Sequence, residues 1–299
     1  TRSSGAWHRA GALTAIILWG LSFVATKAAL REISPITLIF TRFAIGSALL
    51  VSLLAVRRQP LAPPRDTWAS LALMGFVGVF VHQVVQSYGL TMTTAVRTGW
   101  LIGLTPIWSA VLSAMILKER FGPGKLAGLG LGFVGAALVV TRADLSGGLL
   151  SLPSTRGDLL ILASTMNWAF YSTLGHPTIR RLGSARATAG AMVAGTSMLA
   201  GLFAWRAGWN EYAALSATGW GAVLFLGIGC SGLAYMFWYG ALEKMEATRV
   251  ASFLYLEPLV TLAAGVTLLG ETVGPATIIG GLVVLAGVYL VQREGARQS

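Results

Sequence analysis

One segment of this chain, residues 103–140, recurs without gaps as residues 255–292. Matched positions differ by 152, as for Pro106 and Pro258 (258 − 106 = 152). The matched pairs include Leu117/Leu269, Glu119/Glu271, Gly122/Gly274, Pro123/Pro275, Gly128/Gly280, Gly135/Gly287 and Leu138/Leu290. Identity at one fixed period, with glycine and proline kept in step, predicts an internal duplication.

The background of this repeat is apolar enough to require lipid as the solvent. Hydrophobic residues make up 55% of the 299 positions and charged residues only 11%, against about 25% charged residues in ordinary soluble domains. Apolar windows long enough to cross a bilayer fall at 10–30, 35–55, 68–89, 93–117, 123–141, 157–175, 186–205, 219–242, 248–269 and 274–292. The windows lack strand-period alternation and are twice as long as a membrane strand needs. We therefore predict an all-α membrane protein with ten transmembrane helices.

The net charge of +11 is explained by where the basic residues lie. If the N-terminus is cytoplasmic, 15 of the 22 Lys and Arg residues fall in inner loops and termini. Five fall outside, namely Arg31, Arg97, Arg142, Arg156 and Arg206, and Lys27 and Arg42 lie within helices. This bias predicts that both termini are cytoplasmic, in a bacterial inner membrane, and requires no nucleic acid as partner.

The ten helices divide into two halves of five. We predict a first repeat over residues 1–144, a linker and the start of helix six over 145–158, and a second repeat over 157–299. Because five is odd, the second half begins from the opposite face, so the repeats are inverted about an axis in the membrane plane. Inverted repeats of this kind are typical of transporters.

At this point the chain resembles a known family in motifs that span nearly its whole length. They are Trp19-Gly20-Leu21-Ser22-Phe23, Arg42, Leu104-Thr105-Pro106 through Lys118-Glu119-Arg120, and Leu256-Glu257-Pro258 through Leu269-Gly270-Glu271. These motifs resemble the drug/metabolite transporter superfamily, and within it the EamA-like ten-helix proteins. His82, Trp100 and Trp168 are similar to positions in bacterial YddG-type exporters. The resemblance implies outward transport of aromatic and other apolar amino acids.

Two prolines and one carboxylate stand out inside the predicted helices. Pro106 and Pro258 would each remove an amide donor and free the carbonyl four residues earlier, on Ile102 and Leu254, which predicts a hinge or a static bend. Glu257 is the carboxylate nearest the centre of a predicted helix, where an ionisable group costs roughly 2.5 to 3.5 kcal/mol. It could carry protons or bind a cation. Alternatively, it could pair structurally with Arg42, Lys27 or a carbonyl freed by Pro258.

Polar and aromatic side chains on several helices predict a cavity near the middle of the membrane. His82 and Gln86 share one helical face, and Trp19, Trp100, Trp168 and Trp238 lie deep in the apolar windows. An apolar wall with a few polar groups is typical of small-molecule sites. We predict substrate-binding residues at Trp19, His82, Gln86, Trp100, Trp168, Tyr171, Tyr235 and Trp238. Amino acids are the expected substrates, and organic cations, drugs or other small metabolites, with possible proton coupling, are the alternative.

Other classes of function have little support in the sequence. Paired acids, a nucleophile with a base and a metal cluster are all missing from the apolar segments, so we expect no enzyme, no catalytic residue, no bound metal and no cofactor. Gly130-Leu131-Gly132-Phe133-Val134-Gly135 has the dinucleotide pattern, but it lies inside a membrane helix with no strand before it. Its glycines instead predict close helix packing, within one chain or in a homodimer.

Overall fold

The computed structural model describes residues 2–117, 122–142, 153–242, 245 and 253–298, and all regular structure in those ranges is helical. The α-helices are α1 (Arg2–Ala29), α2 (Pro35–Val56), α3 (Trp68–Met74), α4 (His82–Met92), α5 (Ala95–Ile102), α6 (Thr105–Leu117), α7 (Pro123–Thr141), α8 (Pro153–Leu182), α9 (Ser184–Trp205), α10 (Ala217–Leu224), α11 (Ala234–Leu242), α12 (Glu257–Leu269) and α13 (Pro275–Gln298). π-helical segments join α3 to α4 (Gly75–Val81) and α10 to α11 (Phe225–Leu233). 3-10 turns cover Arg65–Thr67, Gly208–Ala214 and Phe253–Leu256.

The predicted fold class is confirmed as an all-helical membrane architecture. Seven helical stretches in the described residues are long and apolar enough to cross a bilayer. They are Trp7–Ala29, Pro35–Val56, Arg65–Met92, Pro123–Thr141, Ser184–Trp205, Ala217–Trp238 and Pro275–Arg293. Ten spans stay a prediction, as do the topology of the termini and the limits of the two repeats. Most of the predicted linker 145–158, Glu119 and the start of the predicted ninth helix lie outside the described residues.

Helices α7 and α13 form the most extensive helix pair, and glycine makes the approach possible. A methyl group added at Gly128 would lie 2.7 Å from the Gly287 carbonyl oxygen, and one at Gly135 would lie 2.5 Å from that of Gly280. Contacts that rise along one helix while falling along the other require antiparallel helices. The two contacts also exchange under the 152-residue spacing, because Gly280 matches Gly128 and Gly287 matches Gly135. The predicted close packing is therefore used inside the chain.

Two π-helical segments occupy similar places in the two halves, and in each a backbone carbonyl accepts a hydrogen bond from a side chain of another helix. A π-helical turn shifts the backbone hydrogen-bond pattern and is common at functional sites. Asn167 Nδ2 donates to the Val77 carbonyl at 2.8 Å, and Trp19 Nε1 donates to the Cys230 carbonyl at 3.1 Å. These bonds fix α8 against the first segment and α1 against the second. Both segments lead directly into helices that carry predicted site residues.

The prolines expected in the middle of helices instead begin new ones. The predicted fourth helix is interrupted at Gly103 and Leu104, and Pro106 is the second residue of α6. Pro258 is likewise the second residue of α12, after a 3-10 turn. Proline is tolerated there because the first helical amides have no partner within the helix. The Ile102 carbonyl, expected to be free, accepts the Thr105 hydroxyl at 2.8 Å.

Candidate substrate cavity

A cavity of about 780 Å³ lies within the bundle, lined by residues from both halves of the chain. Its size is within the range of about 300 to 1,000 Å³ that is typical of small-molecule sites. It extends toward the end of the bundle that carries Lys125, Ser184 and Gln292, which we call the near end. Both proline-initiated helix starts, at Pro106 and Pro258, contribute to its wall.

Seven of the eight predicted site residues line this cavity together. They are Trp19, His82, Gln86, Trp168, Tyr171, Tyr235 and Trp238. Trp100 is the exception, because its side chain is 1% exposed and belongs to a hydrophobic core cluster. A methyl group added at Gly281 of α13 would lie 2.2 Å from the Trp100 ring. Trp100 thus packs against α13 and does not line the cavity, and we leave it out of the proposed site.

The aromatic residues form two walls, each built around one tryptophan. Trp168 of α8 lies 4.9 Å from the His82 ring and 5.0 Å from the Tyr171 ring, between ring centroids. Trp19 of α1 lies 5.4 Å from Tyr235 and 5.3 Å from Trp238. Tilted and edge-to-face contacts of this kind are the preferred arrangement of aromatic pairs. The cavity therefore offers preformed ring surfaces to a flat apolar group.

Polar groups on α4 are held in defined orientations on one of these walls. His82 Nδ1 lies 3.0 Å from the Ser164 carbonyl oxygen, which can only accept, so Nδ1 carries a proton. His82 Nε2 then faces Gln86 Nε2 at 3.5 Å. Gln83 also lines the cavity, and its buried Oε1 has no hydrogen-bond partner in the described part of the chain.

Two buried cations, Arg42 and Lys125, and one buried anion, Glu257, line the cavity among the described residues, and Arg42 and Glu257 do not pair with each other. Arg42 is 8% exposed, donates from Nε to Ser231 Oγ at 3.2 Å and lies 5.1 Å from the Phe43 ring centroid. Glu257 is 9% exposed and begins α12. Neither Arg42 nor Lys27 forms an ion pair with Glu257. Arg42 donates to Ser231, and Lys27 Nζ donates to the carbonyls of Leu90 and Thr93.

Two lining residues near the mouth were not predicted from the sequence. Tyr255 Oη donates to Gln292 Oε1 at 2.6 Å, joining the 3-10 turn before α12 to α13. Gln292 lies at the near end with Lys125 and Ser184. Helical periodicity could not identify this pair, because it depends on the crossing of two separate helices.

The opposite end of the bundle, the far end, holds a polar cluster of Lys27, Thr93, Arg97, Asp158 and Glu271. Arg97 and Asp158 form a buried ion pair, and the Thr93 hydroxyl donates to the same carboxylate. Arg97 Nη2 also donates to the Val140 carbonyl at 2.7 Å. None of these cluster residues lines the cavity. Lys27, Arg97 and Asp158 lie on α1, α5 and α8, and Thr93 and Glu271 lie just after α4 and α12, so the cluster connects the ends of several helices.

Glu271 stabilises the start of a helix that is distant in the sequence. Its carboxylate accepts the amide protons of Ala95 at 2.7 Å and Val96 at 2.9 Å, at the start of α5. A carboxylate there satisfies two unpaired amides and complements the dipole of α5. Glu271 thereby links the C-terminal end of α12 to the start of α5.

Comparison with known proteins agrees with this architecture. The model of the EamA-like transporter family matches twice, at residues 9–141 and 155–293. An uncharacterized transporter of Archaeoglobus fulgidus is 33% identical over 95% of this chain and 96% of its own length. A protein of Streptantibioticus cattleyicolor named "Probable terminal-alkyne amino-acid exporter" is 27% identical over 93% of this chain and 91% of its own. A Salmonella typhimurium protein named "Probable amino-acid metabolite efflux pump" is 25% identical over 93% and 92%.

One solved crystal structure of a protein shares the fold. It is 22% identical, covers 100% of both chains and has a TM-score of 0.67. At that identity the likeness shows the fold alone. The two family matches and the full-length similarity to transporters point to transport rather than to enzyme catalysis. The chain belongs to the EamA-like transporter family and is a multi-pass membrane transporter.

Proposed function

We propose that this transporter exports amino acids, with aromatic and other hydrophobic ones preferred, across a bacterial inner membrane. The observation that carries the proposal is the cavity, where two aromatic walls line the same space as Arg42 and Glu257, neither of which has an ion-pair partner among the described residues. Aromatic walls favour a flat apolar side chain, and buried charges favour a ligand that carries charge. The printed names of the Streptantibioticus and Salmonella relatives support amino acids or their metabolites as cargo.

The transport mechanism that we propose is alternating access between two inverted repeats. The reciprocal, antiparallel glycine contacts of α7 and α13 support an axis in the membrane plane. With both termini cytoplasmic, the near end faces the cytoplasm and the far end faces outward. The cavity then receives substrate from the cytoplasm while the polar cluster closes the outward path.

Helix interruptions at Pro106 and Pro258 are the proposed hinges. Each half-helix that follows begins at the cavity wall, so a small rotation there would change the shape of the cavity. Hinges commonly lie at element ends, where a few residues absorb the change in backbone angles. The recurrence of the interruption in both repeats fits a cycle in which one opens as the other closes.

Export of organic cations is the second candidate, and the position of Glu257 favours it specifically. A carboxylate that has no ion-pair partner within the described ranges, in a cavity with aromatic walls, suits an amine or quaternary ammonium ligand. For such a substrate, Glu257→Gln should abolish transport. Unchanged transport and an unchanged pH response in this variant would exclude both cation recognition and proton coupling through Glu257.

Substitution of Trp168 tests the proposed site. We expect Trp168→Ala to raise the half-saturating concentration of a labelled aromatic amino acid roughly tenfold to a hundredfold in proteoliposomes. The reason is that burying one ring contributes about 1.5 to 3 kcal/mol. Trp205→Ala is the matched control, because Trp205 is 82% exposed and lies outside the cavity. Equal transport by both variants, at equal folded yield, would contradict the assignment.

A further inference from the structure

Arg42 and Glu257 have unused hydrogen-bonding capacity that faces the same cavity. The two Nη atoms of Arg42 have no hydrogen-bond partner among the described residues, and only Nε is engaged, with Ser231. Glu257 has neither a hydrogen-bond partner for its carboxylate nor an ion-pair partner in the same part of the chain. A buried charge costs several kcal/mol unless it is paired. Two opposite charges that remain apart in one cavity therefore suggest a ligand that carries both complements.

Both groups are held in place by the backbone and side chains around them. Arg42 is fixed by Ser231 in the second π-helical segment and by the neighbouring Phe43 ring. The backbone of Glu257 is held by Thr261, whose hydroxyl contacts the Glu257 backbone carbonyl at 3.0 Å and the Gly20 carbonyl of α1 at 2.9 Å. The Arg42 head group and the backbone that carries the Glu257 carboxylate are therefore in place before a ligand binds, which lowers the cost of binding.

We infer that the cavity binds its substrate as a zwitterion, with Arg42 contacting the α-carboxylate and Glu257 the α-ammonium group. A guanidinium binds a carboxylate with two parallel hydrogen bonds, and an ammonium donates readily to a carboxylate. The substrate side chain then lies on the walls built around Trp19 and Trp168. This inference rests on the proposed function and narrows it to amino acids whose two backbone charges are both free.

The matched position of the first repeat indicates how the bound substrate is oriented. Thr105 stands where the second repeat has Glu257, and its hydroxyl is already bonded to the Ile102 carbonyl. The two half-helix starts therefore place only one carboxylate at the cavity. Glu257 is the one carboxylate among the described residues that line the cavity, and the orientation of the substrate follows from its position.

Three probes that share a phenyl ring test the two charges of the substrate separately. L-Phenylalanine carries both, phenethylamine lacks the carboxylate, and phenylpropionate lacks the ammonium group. Their affinities for the purified full-length chain in lipid nanodiscs can be measured by calorimetry. We expect phenylalanine to bind about tenfold or more tighter than either analogue, because each hydrogen bond to a charged group contributes at least about one factor of ten.

Variants of Glu257 and Arg42 should each weaken the binding of a different pair of probes. Glu257→Gln should weaken phenylalanine and phenethylamine about tenfold or more and leave phenylpropionate unchanged or tighter. Arg42→Lys should weaken phenylalanine and phenylpropionate and leave phenethylamine unchanged. Trp205→Ala is the control, because Trp205 is 82% exposed and lies outside the cavity, so the affinities for all three probes should stay unchanged.

The outcomes distinguish this inference from the proposed function. If wild-type protein binds phenethylamine as tightly as phenylalanine, or if Glu257→Gln weakens all three probes equally, zwitterion recognition is wrong while amino acid transport stands. If wild-type protein neither binds nor transports phenylalanine or any other amino acid, the proposed function itself fails. If Arg42→Lys does not fold, the wild-type series and Glu257→Gln still decide the outcome.

Discussion

Removal of the Asp158 charge should open the far end of the bundle. Asp158 is fully buried, and its carboxylate holds both the Arg97 guanidinium and the Thr93 hydroxyl. In Asp158→Asn the amide oxygen can keep the bond from Thr93, but Arg97 loses its counter-charge and retains the Val140 carbonyl. Arg97 is 5% exposed, so its charge stays buried without a charge partner.

The size of the effect follows from the burial of this pair. Breaking a buried pair by removing one partner costs about 3 to 5 kcal/mol, and 3 kcal/mol corresponds to roughly a 150-fold change in an equilibrium. If the cluster must separate during transport, the population with an open far end should rise by about that factor. The matched control is Asp66→Asn. Asp66 pairs with Arg181 at 2.5 Å where both side chains are more than half exposed, so its loss should shift the equilibrium less than about fivefold.

A cysteine introduced at Thr98 reports on the opening. Thr98 is fully buried on α5, close to the polar cluster, so its maleimide labelling rate should follow the open population. The native Cys230 is also fully buried and reports global unfolding in the same sample. We expect Asp158→Asn to raise labelling at position 98 about a hundredfold without a matching rise at Cys230. Equal labelling in the Asp158 and Asp66 variants would refute the assignment of the cluster as a closure.

Two further substitutions test the packing around the cavity. Gly135→Leu should abolish folded yield, measured by size-exclusion chromatography, because a methyl group there would lie 2.5 Å from the Gly280 carbonyl oxygen; Gly130→Leu, whose added carbon meets nothing within 4 Å, should be tolerated. A folded Gly135→Leu protein would disprove the tight crossing. Trp100→Ala should lower stability by about 3 to 5 kcal/mol yet leave phenylalanine affinity unchanged. A large loss of affinity without loss of stability would return Trp100 to the site.

The fold class and most of the cavity could be predicted because they depend on local patterns. Apolar windows identified the helical segments, and the polar face of His82 and Gln86 predicted an inward-facing wall. The position of Trp100 outside the cavity could not be predicted, because depth in the membrane does not reveal which neighbour a side chain faces. Its placement depends on Gly281 of a distant helix, which leaves room for the ring.

Other features required the three-dimensional structure. The two π-helical segments have no strong sequence signal, since glycine-rich apolar runs are compatible with ordinary helices. Proline predicted an interruption but not that a new helix would begin there, with Thr105 satisfying the Ile102 carbonyl. The partners of Glu271, two amides at the start of α5, could not be predicted because a capping carboxylate can serve any nearby helix start.

Counterflow of labelled phenylalanine into proteoliposomes preloaded with unlabelled phenylalanine tests the central claim most directly. The purified wild-type chain should accumulate the label transiently, and Glu257→Gln and Trp168→Ala should each reduce that accumulation at subsaturating substrate. Counterflow of labelled phenethylamine into proteoliposomes preloaded with unlabelled phenethylamine, with no counterflow of phenylalanine or another amino acid in its own preloaded vesicles, would contradict the account and identify the chain as an exporter of organic cations.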